Sequence, residues 1–214
     1  LNNPLIAIDI DGLYPKFLLK FHKAGFFRSD YYTLRPSAAY LLSEISGVNS
    51  EYIKNVNIIK RGFGKYIPLY DTNQGGGAIT LGDGPYSAAI YLTENYFEDN
   101  PTAYNNNGYG QDLYNWIGLL SHEVKHLDHI KNSNGKGRYI LSFGLDYLRY
   151  GHDNTPREKE AINKFNSFKS FWKYVNKNYG KNALEKLFQN EQSETLIIET
   201  LKQWLYEYRE NEKK

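Results

Sequence analysis

The sequence predicts an α+β fold, with a small antiparallel or mixed sheet followed by a mainly helical half. Between residues 56 and 93, short apolar runs are separated by glycine and polar residues, which is typical of strands. From residue 111 onward, apolar residues recur at helical spacing. The chain has 214 residues and is 41% hydrophobic, so it can bury a sizeable core. Strands placed before helices indicate α+β rather than alternating βαβ units.

The first half is predicted to contain two helices and four strands. A basic amphipathic helix is expected over residues 14–23 and a second helix over residues 37–45. Strands are expected over residues 56–60, 67–70, 78–81 and 89–93, because each apolar run is short and flanked by residues that favour turns. A polar loop over residues 98–110 then leads to the helical half.

The second half is predicted to contain five helices, over residues 111–130, 139–150, 156–176, 182–189 and 195–209. In the first of these, apolar residues step by four and three positions, which gives an amphipathic helix: Leu113, Ile117, Leu120, Val124 and Leu127. Thr155 can cap the third helix of this half, and Pro156 suits its first position.

The helix over residues 111–130 carries the sequence His122-Glu123-Val124-Lys125-His126, an H-E-x-x-H motif. Residues four apart lie about 40° apart around a helix axis, so both imidazoles can face one ion while Glu123 reaches a water beside it. The two histidines also share a face distinct from the apolar stripe. The motif therefore predicts a catalytic zinc site, and that site needs one more protein ligand.

Three residues compete for the third ligand position. His129 falls on the same face, but it lies about 10.5 Å along the helix axis from His122, which would strain a site built from one helix, so we expect it beside the ligands or facing solvent and keep it as an alternative ligand. Glu158 follows the cap residue Thr155 by three positions, so it can equally be the partner of that cap in a capping box. Glu160, two residues further on, is a further alternative. The residues alone leave the choice open.

The succession of an H-E-x-x-H helix and a helix with glutamate in its first turn resembles the gluzincin metallopeptidases. In small members of that class the third ligand begins an E-x-x-A stretch, which matches residues 158–161 and favours Glu158. This chain has Ile162 where an acidic residue commonly follows to orient a histidine. The resemblance also implies a strand beside the cleft that pairs with extended substrate, and residues 77–82 or 89–93 could supply it.

The first thirteen residues, LNNPLIAIDIDGL, resemble the segment that closes the core of RHS/YD-repeat proteins. Those secreted proteins end in interchangeable toxin domains, some of which are zinc metallopeptidases. Residues 77–82 and 89–92, followed by the HEVKH helix, are similar to the layout of such toxin peptidases. The resemblance implies that residues 1–13 end an RHS-like core and that residues 14–214 form one metallopeptidase domain. The absence of methionine, even at position 1, agrees with a fragment of a longer protein.

Asp9 and Asp11 also imitate two other motifs. The D-x-D-G opening of haloacid-dehalogenase-like phosphatases is followed by alternating strands and helices, whereas a basic helix and a helical second half are expected here. An EF-hand loop would need a glutamate at its end, and none stands there. Both interpretations are therefore disfavoured.

The composition of the chain argues against several classes of function. The chain has no cysteine, which excludes disulfides, thiolate ligands and thiol nucleophiles. Its net charge of +2 is dispersed, which argues against nucleic-acid binding. The sequence contains no signal peptide and no apolar run long enough to span a membrane, so we expect delivery to depend on upstream sequence.

The expected function is peptide-bond hydrolysis by a secreted or delivered toxin effector, with a protein or peptide substrate and a cognate immunity protein as partner. Zn²⁺ would activate water and polarise the scissile carbonyl, and Glu123 would act as general base. Tyr147, Tyr150 and His152 precede the glutamate helix and are candidate donors to the oxyanion. The alternatives are a cell-wall amidase or peptidase with the same chemistry, and a non-catalytic binding module with a structural or degenerate zinc site.

Overall fold

The structure is a computed structural model that describes residues 18–23, 30–60, 78–92, 113–133, 135–151, 154–190 and 193–213. Its helices are α1 (Pro36–Ser46), α2 (Ser50–Asn55), α3 (Leu113–Asn132), α4 (Lys136–Tyr150), α5 (Pro156–Tyr179), α6 (Ala183–Gln189) and α7 (Glu194–Glu212). Its strands are β1 (Leu19–His22), β2 (Tyr31–Leu34), β3 (Asn57–Lys60), β4 (Ala78–Leu81) and β5 (Ala89–Leu92).

The five described strands form one mixed sheet in the order β1-β2-β3-β5-β4. β3 and β5 run parallel, with Ile58 opposite Ile90, and the other neighbouring pairs are antiparallel. The α+β prediction is therefore confirmed. The single parallel pair also separates this sheet from the doubly wound parallel sheet that a phosphatase of the haloacid-dehalogenase type would need.

The predicted helix over residues 14–23 is wrong where the structure describes it, because Leu19–His22 forms strand β1. Cross-strand contacts with β2 explain the difference. The imidazole of His22 stacks on the ring of Tyr31 at 4.8 Å, and its Nε2 lies 2.8 Å from Oγ1 of Thr33. Pairing with a partner strand thus outweighs local helical periodicity.

The other predicted elements agree closely with the described chain. The strands predicted over residues 56–60, 78–81 and 89–93 appear as β3, β4 and β5, and all five helices of the second half are present. Strand β2 and helix α2 were not predicted, and α1 and α2 interrupt the run of strands. The predicted strand over residues 67–70, the polar loop over 98–110 and the RHS-like residues 1–13 lie outside the described residues.

The packing of α3 along α5 is the largest contact between two helices, and it belongs to one core that also includes residues of α1, α6, α7 and the sheet. The apolar stripe predicted on α3 is buried throughout, with exposures of 1% or less from Leu113 to Leu127. Gly118 makes the close approach possible, because a Cβ atom built there would lie 2.5 Å from Cε2 of Phe165 on α5. The largest buried side chains here are Trp116, Phe168 and Phe171. This packing brings one face of α3 against the first turn of α5.

Across the described residues, no helix is both long enough and apolar enough to cross a membrane.

Candidate metal centre

The HEVKH motif lies in the middle of α3, opposite the beginning of α5. The backbone amide of Glu158 donates a hydrogen bond of 3.1 Å to Oγ1 of Thr155, so Thr155 caps α5 as the sequence predicts. The carboxylate of Glu158 faces the histidines of α3. Its burial is nearly complete, at 3% exposure.

Three side chains from these two helices converge. Nε2 of His122 lies 3.1 Å from Oε2 of Glu158, and Nε2 of His126 lies 3.4 Å from Oε1 of the same carboxylate. The two Nε2 atoms are 3.3 Å apart. Among the residues that the structure describes, His122, His126 and Glu158 are the group whose ligand atoms lie close enough together to hold a metal ion.

These separations fit a tetrahedral metal. With metal–nitrogen and metal–oxygen bonds of about 2.0–2.1 Å, neighbouring ligand atoms of a tetrahedral zinc site lie about 3.3 Å apart. The two Nε2 atoms match this value at 3.3 Å, and each has one oxygen of Glu158 at a similar distance, Oε2 for His122 and Oε1 for His126. The donor set of two imidazoles and one carboxylate is also the kind that zinc accepts while keeping a fourth position open.

Glu123 lies beside this group on α3 and is buried at 4% exposure. Its Oε1 is 3.9 Å from Nε2 of His122, and its Oε2 accepts a hydrogen bond of 2.7 Å from Oγ1 of Thr80 on β4. Thr80 Oγ1 also lies 3.0 Å from the backbone oxygen of Glu123. A carboxylate is therefore held next to the ligand atoms without being one of them.

His129 and Glu160, the alternative ligands, contact each other next to the site. Nε2 of His129 lies 3.0 Å from Oε2 of Glu160, while Nδ1 of His129 lies 3.1 Å from Nδ1 of His126. The ammonium group of Lys125 lies 3.0 Å from Oε1 of Glu160. Neither residue belongs to the converging group found in the described part of the chain.

The ionisation of this pair follows from its surroundings. Burial lowers the pKa of His129, and the nearby Glu160 carboxylate offsets this only in part. The hydrogen bond with His129 lowers the pKa of Glu160, and Lys125 adds to that effect against the opposing influence of burial. A neutral imidazole therefore lies beside an ionised carboxylate at neutral pH.

The structure places Tyr139, at the start of α4, within electrostatic reach of the carboxylates of Glu123 and Glu158. Burial raises the pKa of its phenol, and the charges of Glu123 and Glu158 raise this pKa further, while Arg157 opposes them. The guanidinium carbon of Arg157 lies 5.6 Å from the centre of the Tyr139 ring. The phenol consequently stays protonated and can donate a hydrogen bond.

Three residues were predicted from the sequence as oxyanion donors, and the structure describes the side chain of one of them, Tyr150. Tyr150 ends α4 and is 41% exposed, about 16 Å along the helix axis from Tyr139. The side chain of Tyr147 and the whole of His152 lie outside the described residues.

Sequence reasoning missed Thr80 and Tyr139. The strand that carries Thr80 was predicted, but a four-residue strand does not reveal which helix its hydroxyl will meet. Tyr139 is one of 20 tyrosines, and only the packing of α4 near α3 and α5 distinguishes it. A sequence signal existed for His129, which shares a helix face with the motif.

Comparison of the chain with protein-family models, with curated proteins and with solved structures returns no match.

Proposed function

We propose that the chain is a zinc-dependent metallopeptidase that hydrolyses peptide bonds by Glu123-assisted attack of water. The observation that carries this proposal is the convergence of the Nε2 atoms of His122 and His126 with the carboxylate of Glu158. A second, buried carboxylate stands beside them. Two imidazoles and one carboxylate suit zinc, and the chain has no cysteine that could offer a thiolate instead.

When bound, zinc would supply a Lewis acid that polarises the scissile carbonyl and lowers the pKa of water. Glu123 then acts as the general base: it takes a proton from the attacking water and delivers it to the departing amide nitrogen. The hydrogen bond from Thr80 fixes one oxygen of this carboxylate and leaves the other, Oε1, on the side of His122. The geometry thus supports a single carboxylate carrying the proton through the reaction.

Tyr139 is suited to stabilise the charge that develops on the carbonyl oxygen. Its raised pKa keeps the phenol protonated, and it lies within the electrostatic reach of both Glu123 and Glu158. A preorganised donor in a buried site is worth more than the same donor in water. We assign Tyr139 this role in preference to Tyr150, which lies at the exposed end of α4.

Strand β4 supports an extended peptide as the substrate. It is the terminal strand of the described sheet, and it contacts α3 through the hydrogen bond between Thr80 and Glu123. The neighbouring β5 lies inside the sheet, between β3 and β4. Of the two strands considered for the cleft edge, β4 is therefore the better candidate to pair with the main chain of a substrate.

The biological role that we propose is that of a toxin effector at the end of an RHS-like protein, delivered to a target cell and neutralised in the producer by an immunity protein. Residues 1–13 carry this part of the proposal through their resemblance to the end of an RHS core. The toxin role does not depend on the metal site, so an experiment can contradict the toxin role without contradicting the enzymatic activity, and the reverse.

Hydrolysis of an unfolded protein tests the enzymatic proposal. Zinc-loaded chain is incubated with a reduced and alkylated protein, with and without a chelator, and the fragments are identified by mass spectrometry. The matched control is Glu123→Gln, which keeps both histidines but removes the base. We expect chelator-sensitive cleavage that falls by about 10²–10⁴-fold in the variant.

Equal turnover by the two proteins would rule out Glu123 as the base. A zinc-loaded wild-type chain that cleaves cell-wall peptides or amides but no protein would instead identify the amidase alternative. Zinc binding without any hydrolysis would identify a non-catalytic binding module.

A further inference from the structure

Polar contacts connect Glu160 on α5, through His129, to Nδ1 of His126, one of the proposed metal ligands. Nε2 of His129 lies 3.0 Å from Oε2 of Glu160, and Nδ1 of His129 lies 3.1 Å from Nδ1 of His126. Both imidazoles are buried, at 8% exposure for His129 and 5% for His126. The rings meet at 5.2 Å with an interplanar angle of 64°. The contacts therefore involve the ring nitrogen of His126 that faces away from Glu158.

An ion pair with Lys125 holds Glu160, which lies at the α5 end of these contacts. The other oxygen of Glu160, Oε1, lies 3.0 Å from Nζ of Lys125, which in turn lies 3.0 Å from Oδ2 of Asp128. Lys125 and Asp128 belong to α3, as do the two histidines, whereas Glu160 belongs to α5. Glu160 is thus held by two residues on one face of α3, Lys125 and His129, although its side chain is 51% exposed.

The carboxylate of Glu160 at one end of this line of contacts determines which ring nitrogens carry protons. A carboxylate only accepts hydrogen bonds, so Nε2 of His129 carries the proton that it shares with Glu160. A neutral His129 then presents the lone pair of Nδ1, and Nδ1 of His126 must carry the proton between the two rings. A neutral His126 in this tautomer directs the lone pair of Nε2 toward His122 and Glu158. That lone pair is the one a metal requires.

We propose that His129, held by Glu160, is a positioning residue that fixes the tautomer and ring orientation of the ligand His126. This inference rests on the proposed zinc site and adds to it the group that orients one of its ligands. Here an imidazole is interposed between carboxylate and ligand, and the first turn of α5 supplies both the ligand Glu158 and the anchor Glu160.

Zinc affinity, measured by competition with a chromophoric chelator, tests this role without using catalysis. His129→Phe keeps a ring of similar size but removes both hydrogen bonds, and we expect it to weaken zinc binding by about 10–100-fold. His129→Asn places an amide oxygen near the position of Nδ1 and should recover most of the affinity. Glu160→Leu removes the anchor and should weaken binding in the same direction as His129→Phe.

Two further readouts separate positioning from general loss of structure. Long-range ¹H–¹⁵N NMR of the zinc-loaded wild-type chain should show the proton of His126 on Nδ1 and that of His129 on Nε2. The visible spectrum of the cobalt-substituted protein should change in His129→Phe and be restored in His129→Asn. If His129→Phe does not fold, Glu160→Leu, altered at a half-exposed position, still tests the chain of contacts.

Unchanged zinc affinity and cobalt spectrum in both His129→Phe and Glu160→Leu would overturn the inference while leaving the zinc site intact. The inference would also be overturned if NMR of the zinc-loaded protein showed the proton of His126 on Nε2. Failure of the wild-type chain to bind zinc or cobalt would overturn the inference together with the proposed metal site. Loss of hydrolysis with intact zinc binding would affect only the proposed peptidase activity.

Discussion

The hydroxyl of Thr80 donates a hydrogen bond of 2.7 Å to Oε2 of Glu123, and it thereby links the terminal strand of the sheet to the helix that carries the HEVKH motif. Both side chains are buried, at 2% and 4% exposure. A hydrogen bond to a charged group in such surroundings is stronger than one between neutral groups. The strand therefore holds the proposed general base in one orientation.

Thr80→Val should lower kcat for peptide hydrolysis by about 10-fold or more, because Glu123 loses a charge-assisted hydrogen bond worth about 1.5–3 kcal/mol. Zinc content should not change, since the hydroxyl of Thr80 hydrogen-bonds to Glu123, which is not one of the three proposed ligands. Thr80→Ser is the matched control and should keep most of the activity. Steady-state kinetics would contradict this account if the valine and serine variants were equally active.

Tyr139→Phe should reduce kcat by about 10²-fold while the zinc content stays at the wild-type level, because the change removes only the proposed donor to the oxyanion. Tyr150→Phe, at the exposed end of α4, is the control and should be close to wild type. Because burial and the carboxylates of Glu123 and Glu158 raise the pKa of Tyr139, its ionisation should not limit the rate near neutral pH. Normal turnover in Tyr139→Phe with impaired turnover in Tyr150→Phe would return the role to Tyr150.

The sequence predicts the two halves of this fold unequally. Long amphipathic helices such as α3 and α5 have a strong period and a clear cap at Thr155, so their positions agree with the structure to within a few residues. Strand β1 pairs along its whole length with β2, and local pattern did not distinguish Leu19–His22 from a helix. Strands β3, β4 and β5 are equally short but were predicted, so dependence on cross-strand pairing, and not length, accounts for the difference.

The candidate site divides in a similar way. The pair His122 and His126 and the base Glu123 follow from helical spacing alone, and Glu158 needed the resemblance to gluzincins before it could be preferred to a capping residue. The contact of His129 with Glu160 and that of Thr80 with Glu123 depend on how α3 packs against α5 and β4, so the sequence does not reveal them. The sequence alone predicts which residues share a face of one helix, whereas contacts between different elements become known only from the folded structure.

Gly118→Ala should destabilise the chain although alanine favours helices by about 1 kcal/mol over glycine. The added Cβ would lie 2.5 Å from the ring of Phe165, and overpacking of this kind costs about 1–3 kcal/mol. Gly144→Ala on α4 is the matched control, because its Cβ meets no atom within 4 Å, and it should stabilise the chain slightly. Equal shifts in the denaturation midpoint would contradict the close approach of α3 and α5.

Expression in bacterial cells tests the proposed toxin role. We expect growth to stop when the wild-type chain reaches the compartment that contains its substrate, and to continue when Glu123→Gln is expressed at the same level. The difference follows because the variant keeps the fold and the three ligands but lacks the base. Equal growth with both proteins in the cytoplasm and in the periplasm would count against a toxin that acts on bacteria.

The zinc content of the chain tests the central claim most directly. Protein equilibrated with free zinc, desalted and measured by atomic emission should contain one zinc per chain. Glu158→Ala should contain none, because two histidines alone hold the ion far more weakly, while Glu160→Ala and His129→Ala should retain zinc when it is supplied in excess. A metal-free wild-type chain would contradict the account, as would a Glu158→Ala protein that still holds one zinc beside a zinc-free Glu160→Ala protein.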